Sequence, residues 1–276
     1  MAGVGFIGLG NMGLPMARNL LRAGRRLVVH DLNPAPVSAL AAAGATAARS
    51  PAELAEAVGA GGTILTMLRS GDEVRSVLAS GVLEACSARH AAGGGRTMLI
   101  DCSTISPDDA RALARSAHAA GCDYLDAPVS GGAIGAEAAS LTFMVGSADE
   151  AIFSRAVPLL ALMGKASVRC GGVGAGLAAK LANNLALSLQ MLGVAEAMQL
   201  GVAQGVDPKV SSPIQYIHRV NPHIGRLAHN PTLSTISTST NTYSYTTGTS
   251  PPPPTAHCCC CPPPPTAHCC CCCCCC

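Results

Sequence analysis

Apolar and polar positions follow two different periods along residues 1–170. Short apolar runs typical of strands lie at residues 4–8, 27–30, 63–68, 97–100, 124–127 and 141–145. Helical patterns separate them, at residues 14–23, 38–43 and 72–79, after Ser50-Pro51, and from Pro107 onward. Because strands that alternate with helices form βαβ units, the pattern predicts an α/β fold with a parallel sheet.

The pattern changes to one uninterrupted helical repeat over residues 176–204. Leucines recur there at helical spacing with no proline, at positions 181, 185, 189 and 192. This predicts one long helix that leaves the sheet. Since its apolar faces need partners, we expect it to open a second, all-helical domain.

The end of the chain is low in complexity. No Asp or Glu follows Asp207, and residues 251–261 are repeated as residues 262–272. Such a segment buries too little apolar surface to fold. We therefore predict a sheet domain at residues 1–168, the start of a truncated helical domain at residues 169–212, and a disordered tail at residues 213–276.

Composition and charge exclude several classes of protein. With 276 residues, 49% of them hydrophobic, the chain is long enough to bury a core. Its net charge of +2 comes from scattered basic residues, which argues against nucleic acid or an anionic membrane as a partner. We identify no targeting segment and no breaker-free run of about 20 apolar residues that predicts a membrane span.

Cysteine is abundant but unevenly placed. Of the 16 cysteines, only Cys86, Cys102, Cys122 and Cys170 precede the C-terminal runs. Dispersed cysteines of this kind are typical of a reducing compartment, where most are small buried residues. The unbroken cysteine run beside His257 lacks the ligand spacing of a defined site, so no metal is predicted.

A glycine-rich turn follows the first predicted strand. Gly8-Leu9-Gly10-Asn11-Met12-Gly13 matches the spacing G-x-G-x-x-G. The first glycine permits a tight turn, the second lets a pyrophosphate approach the backbone, and the third lets helix and strand pack closely. Because the following helix N-terminus attracts phosphate, the motif predicts a Rossmann-type NAD site.

Asp31 ends the second predicted strand. An acidic side chain at this point accepts hydrogen bonds from the ribose hydroxyls of NAD and repels the 2′-phosphate of NADP. The alternative is a residue that starts the turn before Asn33-Pro34.

Two later segments carry candidate chemistry. Ser130-Gly131-Gly132 follows a predicted strand, and its amides would form an anion-binding concavity; the alternative is an ordinary glycine-rich turn. Lys180 and Asn184 lie four residues apart, on one face of the long helix. A lysine among apolar neighbours has a lowered pKa that suits proton transfer, whereas the alternative is a surface lysine with its ammonium group in solvent.

Four blocks of sequence together resemble the β-hydroxyacid dehydrogenase family, and the resemblance extends from residue 3 to about residue 210. They are residues 6–13 with Met16-Ala17, residues 101–104 (Asp-Cys-Ser-Thr), residues 126–132 (Asp-Ala-Pro-Val-Ser-Gly-Gly) continuing to 141–146, and residues 174–184.

The resemblance implies a reaction, namely NAD-dependent oxidation of 3-hydroxyisobutyrate, or a close 3-hydroxy acid, to the semialdehyde in valine catabolism. Lys180 would take the hydroxyl proton, and Asn184 would orient Lys180 or the hydroxyl. Ser130, Gly131 and Gly132 would hold the substrate carboxylate. The cofactor would be bound by Gly8, Gly10, Asn11, Met12, Gly13, Asp31, Leu68 and Thr104.

Two departures from the family pattern leave alternatives open. Arg69 stands where family members carry proline, and the resemblance ends before most of the helical domain, with its further cofactor-side lysine and its oligomer surface. The alternatives are an NADPH-dependent glyoxylate or succinic semialdehyde reductase, and an inactive truncated dinucleotide-binding product. Eukaryotic family members imply a mitochondrial location; the cytoplasm is the other expectation.

Overall fold

The computed structural model describes residues 3–207, so the predicted tail at residues 213–276 and the end of the predicted segment 169–212 lie outside the described residues. The strands are β1 (Val4–Ile7), β2 (Leu27–His30), β3 (Thr46–Ala47), β4 (Thr63–Thr66), β5 (Thr97–Asp101), β6 (Cys122–Asp126), β7 (Val129–Ser130), β8 (Leu141–Ser147) and β9 (Gly164–Gly171). The helices are α1 (Gly13–Arg22), α2 (Pro34–Ala42), α3 (Pro51–Val58), α4 (Gly71–Val77), α5 (Leu83–Ala91), α6 (Pro107–Ala119), α7 (Gly132–Glu137), α8 (Glu150–Leu160) and α9 (Ala175–Ala203). A π-helical turn, Leu78–Val82, joins α4 to α5.

The strands form one mostly parallel sheet, in the order β3-β2-β1-β4-β5-β6-β8-β7, with β9 also paired to β8. Pairing is parallel from β3 through β6. The order of the strands reverses at β1, because β2 and β3 lie on one side of it and β4, β5 and β6 on the other. Ligands of open α/β sheets bind beyond the carboxyl ends of the strands at such a switch point. The predicted Rossmann-type α/β fold is confirmed.

Helices cover both faces of the sheet. Successive residues of a strand point to opposite faces, so each strand contributes side chains to both cores. Phe6 and Ile100 belong to one buried cluster, whereas their neighbours Ile7 and Leu99 belong to the other. Cys86, Cys102 and Cys122 are buried within these clusters, and Cys170 is half-buried; all four are free thiols. The expectation that most of these cysteines behave as small core residues agrees with this placement.

Most helices begin at a polar side chain of their own sequence. The side chains of Asn33, Ser50, Ser70, Ser106 and Asp149 accept a hydrogen bond from an amide in the first turn of α2, α3, α4, α6 and α8. These caps satisfy amides that have no acceptor within the helix. The start predicted at Pro107 after Ser106 is therefore confirmed.

The far edge of the sheet differs from the sequence prediction. Strand β8 pairs antiparallel with β6 and β7, and β9, which runs parallel to β8, was not predicted. Helices α5, α7 and α8 were also missed. Their apolar residues are few or interrupted, as by Pro158 inside α8, so no helical period stands out. Strand β9 spans residue 168, and the domain division proposed there stays a prediction.

Helix α9 is long, as predicted, but little of it is buried. Only Gly176 and Leu177, in its first turn, are buried. Leucines further along are exposed by 63% at Leu185, 60% at Leu189 and 59% at Leu192. Within residues 3–207, then, the apolar face of this helix has no covering element along most of its length.

The sequence pattern did not predict a membrane span, yet α9 is long and apolar enough to cross a bilayer by length and composition alone. The core helices of soluble proteins share both properties. Lys180, Asn183, Asn184 and Glu196 interrupt its apolar surface.

Candidate dinucleotide and substrate site

The glycine-rich turn connects the carboxyl end of β1 to the start of α1. Gly8 has a φ of +93°, a conformation that side chains disfavour, and a Cβ there would collide with the Met67 carbonyl. A Cβ on Gly13 would collide with the Gly8 carbonyl. Gly10 differs, because a Cβ there would meet no atom within 4 Å. The first and third glycines are thus needed by the fold, and the second leaves open space beside the backbone.

The start of α1 is suited to a phosphate group. Its N-cap residue Met12 supplies no side-chain cap, and its first turn contains no acidic residue. The first-turn amides and the positive end of the helix dipole therefore have no negatively charged partner from the helix itself. Together with the open space at Gly10, this arrangement fits the pyrophosphate of a dinucleotide.

Asp31 lies directly after β2, against the glycine-rich turn. Its Oδ2 accepts a hydrogen bond from the Leu9 amide at 2.5 Å, and its Oδ1 accepts one from the Asn33 amide at 2.7 Å. The second bond is the turn-initiating contact that the sequence offered as an alternative. The first fixes the carboxylate beside the turn, so the two interpretations of Asp31 are compatible.

Leu68 and Thr104 follow β4 and β5, which are neighbours in the sheet. The Leu68 side chain lies near Gly8, since a Cβ built there would come within 2.9 Å of Leu68 Cδ2. The Ser103 hydroxyl accepts a hydrogen bond from the Leu68 amide at 2.9 Å and thereby joins the two loops. Thr104 is exposed at this edge.

The buried Asp101 side chain holds the two loops that follow β4 and β5. Its carboxylate is 1% exposed and accepts hydrogen bonds from Thr66 Oγ1 at 2.9 Å, from the Ser103 amide at 3.0 Å and from the Tyr124 hydroxyl at 3.3 Å. Burial raises the pKa of Asp101 to about 6, although hydrogen bonds from Ser103, Thr66 and Tyr124 oppose that rise.

Arg69, which precedes α4, forms an ion pair with Glu73 of that helix. Its guanidinium lies 2.5 Å from the Glu73 carboxylate, and its side chain is 89% exposed. The hydrogen bond to Glu73 raises the pKa of Arg69. Glu73 therefore pairs with the positive charge that Arg69 introduces where family members carry proline.

The Ser130-Gly131-Gly132 segment requires its glycines. Gly131 has a φ of +135° and Gly132 a φ of +62°, both in the region that side chains avoid. Ser130 is held by strand pairing, in register with Thr142 of β8. The two glycines are exposed and lie directly after a fixed strand, which suits backbone recognition of a small ligand.

Lys180 and Asn184 lie in the first half of α9, one helical turn apart, and both are half-buried. Burial lowers the pKa of Lys180. The start of this helix lies at the carboxyl end of β6, because the Asp126 side chain accepts hydrogen bonds from the Gly174 and Leu177 amides.

Three supporting residues carried no role in the sequence prediction. Asp101 and Asp126 stood within recognised motifs, and their positions after apolar strands were the only signal. Asn19 is buried in α1, and its Nδ2 donates to the Ala136 carbonyl of α7 at 2.7 Å. That bond links the dinucleotide helix to the segment after Gly132 across 117 residues. No local pattern reveals such a partner.

Among the described residues 3–207, no group of three or more His, Cys, Asp and Glu side chains could hold a metal ion. The C-terminal cysteine runs lie outside these residues.

The fold, the glycine-rich turn and the uncapped helix define a dinucleotide-binding α/β protein of the dehydrogenase class. Residues 3–172 match the model of the NAD-binding domain of 6-phosphogluconate dehydrogenase. The 3-hydroxyisobutyrate dehydrogenase of Pseudomonas aeruginosa is 45% identical over 214 residues, which are 78% of this chain and 69% of the relative. The chain therefore belongs to the 3-hydroxyisobutyrate dehydrogenase family of oxidoreductases and carries its NAD-binding domain.

Two further relatives bear on the substrate. An NAD-dependent L-serine dehydrogenase of Pseudomonas aeruginosa is 45% identical over 216 residues, covering 78% of this chain and 69% of that protein. The structure of Mycobacterium tuberculosis 3-hydroxyisobutyrate dehydrogenase with L-serine superposes with a TM-score of 0.71, at 39% identity, over 83% of this chain and 74% of that one. Mammalian relatives are covered less fully, and the chain spans 60% of the mouse protein.

Proposed function

We propose that the chain oxidises 3-hydroxyisobutyrate, or a close 3-hydroxy acid, to the semialdehyde with NAD as the oxidant. The observation that carries this proposal is the position of Lys180. It is a half-buried lysine with a lowered pKa, on a helix bonded to the carboxyl end of β6. The chain passes from the end of β6 into β7 and then into Gly131-Gly132, and the glycine-rich turn also follows the carboxyl end of a strand, β1.

The cofactor site would be formed by the Gly8–Gly13 turn, Asp31, Leu68 and Thr104. The turn offers amides and open space to the pyrophosphate, and Asp31 would accept hydrogen bonds from the ribose hydroxyls. When bound, NAD supplies the hydride acceptor of the reaction. The Asp31 carboxylate would repel the 2′-phosphate of NADP, which favours NAD over NADP.

The remaining chemistry belongs to the chain's own side chains. A lysine acts as a base only when its amine is neutral, and the lowered pKa of Lys180 increases that fraction. Lys180 would accept the proton of the substrate hydroxyl at Nζ, while the carbon bearing the hydroxyl loses a hydride. Asn184 would orient the amine or the hydroxyl, and Ser130, Gly131 and Gly132 would bind the carboxylate.

More than one 3-hydroxy acid fits the proposed reaction. L-Serine also carries a hydroxyl at carbon 3, and two of the relatives above are described with it. An NADPH-dependent reductase of glyoxylate or succinic semialdehyde is the other enzyme candidate, although Asp31 disfavours it. The mouse and rat relatives are named mitochondrial, and we propose the same location for this chain.

The test measures NAD affinity by calorimetry and NADH formation by absorbance on the full chain. We expect NAD to bind and NADH to form with 3-hydroxyisobutyrate, faster than with L-serine. Efficient turnover only with NADPH and an aldehyde would contradict the proposal. Binding of NAD with no turnover of any 3-hydroxy acid would identify a dinucleotide-binding module instead.

The role of Asp31 has its own control. Asp31→Asn keeps the side-chain size but removes the charge, so we expect the preference for NAD over NADP to fall about tenfold, equivalent to about 1.4 kcal/mol. Asp72→Asn, an exposed carboxylate on α4, is expected to leave the preference unchanged. An unaltered preference in Asp31→Asn would remove this residue from cofactor selection.

A further inference from the structure

Asp126 is a buried carboxylate with no cationic partner in the described part of the chain. It ends β6, is 0% exposed, and takes part in none of the ion pairs among residues 3–207. Its Oδ1 accepts a hydrogen bond from the Gly174 amide at 2.7 Å, and its Oδ2 accepts one from the Leu177 amide at 3.0 Å. Both oxygens of the carboxylate are therefore used to hold the start of α9.

The start of α9 lacks a cap of its own. Its N-cap residue, Gly174, has no side chain and adopts a left-handed conformation with a φ of +89°. The first-turn amides of a helix have no acceptors within it, and burying them unpaired is costly. Asp126, which lies 48 residues before Gly174, supplies the acceptors for two of these amides, those of Gly174 and Leu177, and its carboxylate faces the positive end of the helix dipole.

The surroundings of this carboxylate leave it little freedom to move. A Cβ on Gly146 of β8 would collide with the Asp126 carboxylate. A Cβ on Gly176 would come within 2.9 Å of Asp126 Oδ2 and would collide with the Met144 carbonyl. Two glycines thus allow β8 and α9 to approach the same side chain. Burial raises the pKa of Asp126, and the amide hydrogen bonds from Gly174 and Leu177 oppose that rise.

We infer that Asp126 is a positioning residue, which fixes Lys180 relative to the Ser130-Gly131-Gly132 segment. The carboxylate ends β6, four residues before Ser130, and it accepts a hydrogen bond from the Leu177 amide of α9. Lys180 follows Leu177 by three residues, about 4.5 Å along the helix axis. A single side chain therefore joins the proposed carboxylate-binding segment to the proposed base. The inference rests on the proposed function for the roles of those two groups.

The experiment compares the full chain with its Asp126→Asn variant. Asparagine keeps the shape but replaces one acceptor oxygen with a donor, so one of the two amide bonds is lost. By hydrogen exchange, we expect amides of residues 174–178 to exchange about tenfold faster, a change of about 1.4 kcal/mol in local opening. We also expect kcat to fall about 10- to 100-fold through misplacement of Lys180, with NAD affinity within about twofold of the wild type.

Asp101→Asn is the matched control. Asp101 is the register partner of Asp126 on the neighbouring strand and is equally buried, but its partners are Thr66, Ser103 and Tyr124. Loss of this carboxylate is expected to leave exchange at the start of α9 at the wild-type rate. If Asp126→Asn fails to fold, Gly176→Ala displaces the same helix start from an intact carboxylate, because its new Cβ collides with the Met144 carbonyl and lies 2.9 Å from Asp126 Oδ2. The same faster exchange and fall in kcat are then expected.

The outcomes separate the inference from the proposed function. Wild-type exchange at residues 174–178 in Asp126→Asn would overturn the inference, as would a parallel loss of kcat and NAD affinity. If the wild-type chain shows no turnover, the proposed function fails. Accelerated exchange confined to the start of α9 would then still establish Asp126 as the residue that anchors this helix.

Discussion

The glycine-rich turn at residues 8–13 and the start of α9, which carries Lys180, both follow carboxyl ends of strands in the same sheet, but they are held in place in different ways. The turn is local: residues 8–13 and Asp31 are close in sequence, and the Asp31 carboxylate bonds to the Leu9 amide. Helix α9 begins on a carboxylate 48 residues earlier in the chain, and most of its length is exposed. A cofactor site made from one βαβ unit is thus fixed by that unit, whereas the proposed base depends on a distant contact.

The largest expected effect is the loss of kcat when Lys180, on α9, is replaced. Lys180→Ala removes the proposed base, and general-base catalysis contributes about 10²- to 10⁴-fold to rate, so we expect kcat to fall by that factor. Steady-state NADH formation measures it. Lys165→Ala, an exposed lysine on β9, is the control and should keep wild-type turnover. Normal turnover in Lys180→Ala would remove this lysine from the mechanism.

The next largest effect is on the free energy of unfolding and comes from Asp101, which holds the loops of Leu68 and Thr104 in the proposed cofactor site. Its pKa of about 6 lies above the ordinary 3.8, so the folded state binds its proton more tightly than the unfolded chain does. Its contribution to the free energy of unfolding therefore falls as pH rises from about 4 to 6, by up to about 3 kcal/mol. Asp101→Asn removes this dependence.

Denaturant unfolding of both proteins from pH 4 to pH 7 checks the Asp101 prediction. Taking the difference between variant and wild type cancels the titration of all other groups. We expect that difference to shift in favour of Asp101→Asn as pH rises. A difference that stays constant over this range would show that the Asp101 carboxyl keeps its ordinary pKa in the folded state.

A smaller effect distinguishes the glycines of the turn. Gly10→Ala places a methyl group in open space, so we expect an unchanged free energy of unfolding but about tenfold weaker NAD binding, equivalent to about 1.4 kcal/mol. Gly13→Ala collides with the Gly8 carbonyl and should cost about 1–3 kcal/mol of stability as well. Thermal unfolding and NAD titration of both variants measure this. Undiminished NAD affinity in Gly10→Ala would contradict the pyrophosphate site.

Features fixed by residues close together in the chain, such as the glycine-rich turn, are also those that the sequence predicts well. Strand β2 and the ends of α1 and α9 were predicted within a residue, because apolar period, glycine and proline mark them directly. The glycine-rich turn was predicted with the cofactor it suits. Strand β9 and helices α5, α7 and α8 were missed, since their apolar residues are few or interrupted and no regular period stands out.

Long-range supports were beyond sequence reasoning for a physical reason. An aspartate after an apolar strand is equally consistent with a turn, a ligand contact or a helix anchor. Asp126 becomes an anchor only because β6 and the start of α9 meet, and Asn19 becomes a link only because α1 meets α7. The placement of Lys180 on a helix was predictable, whereas the group that holds its helix was not.

The smallest expected effect tests the exposure of α9. Leu189 is 60% exposed, so Leu189→Ala should change the free energy of unfolding by about 0.5 kcal/mol or less. Leu20, which is fully buried in α1, provides the contrast, and Leu20→Ala should cost about 2–5 kcal/mol. Denaturant unfolding of the full chain measures both. A cost above about 1 kcal/mol for Leu189→Ala would mean that another segment or copy covers this face.

Calorimetric titration of NAD into Lys180→Ala tests most directly whether NAD binding and proton transfer reside in separate parts of the chain. We predict a dissociation constant within about twofold of the wild type, because the turn at residues 8–13 and Asp31 are untouched. A tenfold weaker affinity would contradict this separation, since it would place Lys180 in the cofactor site.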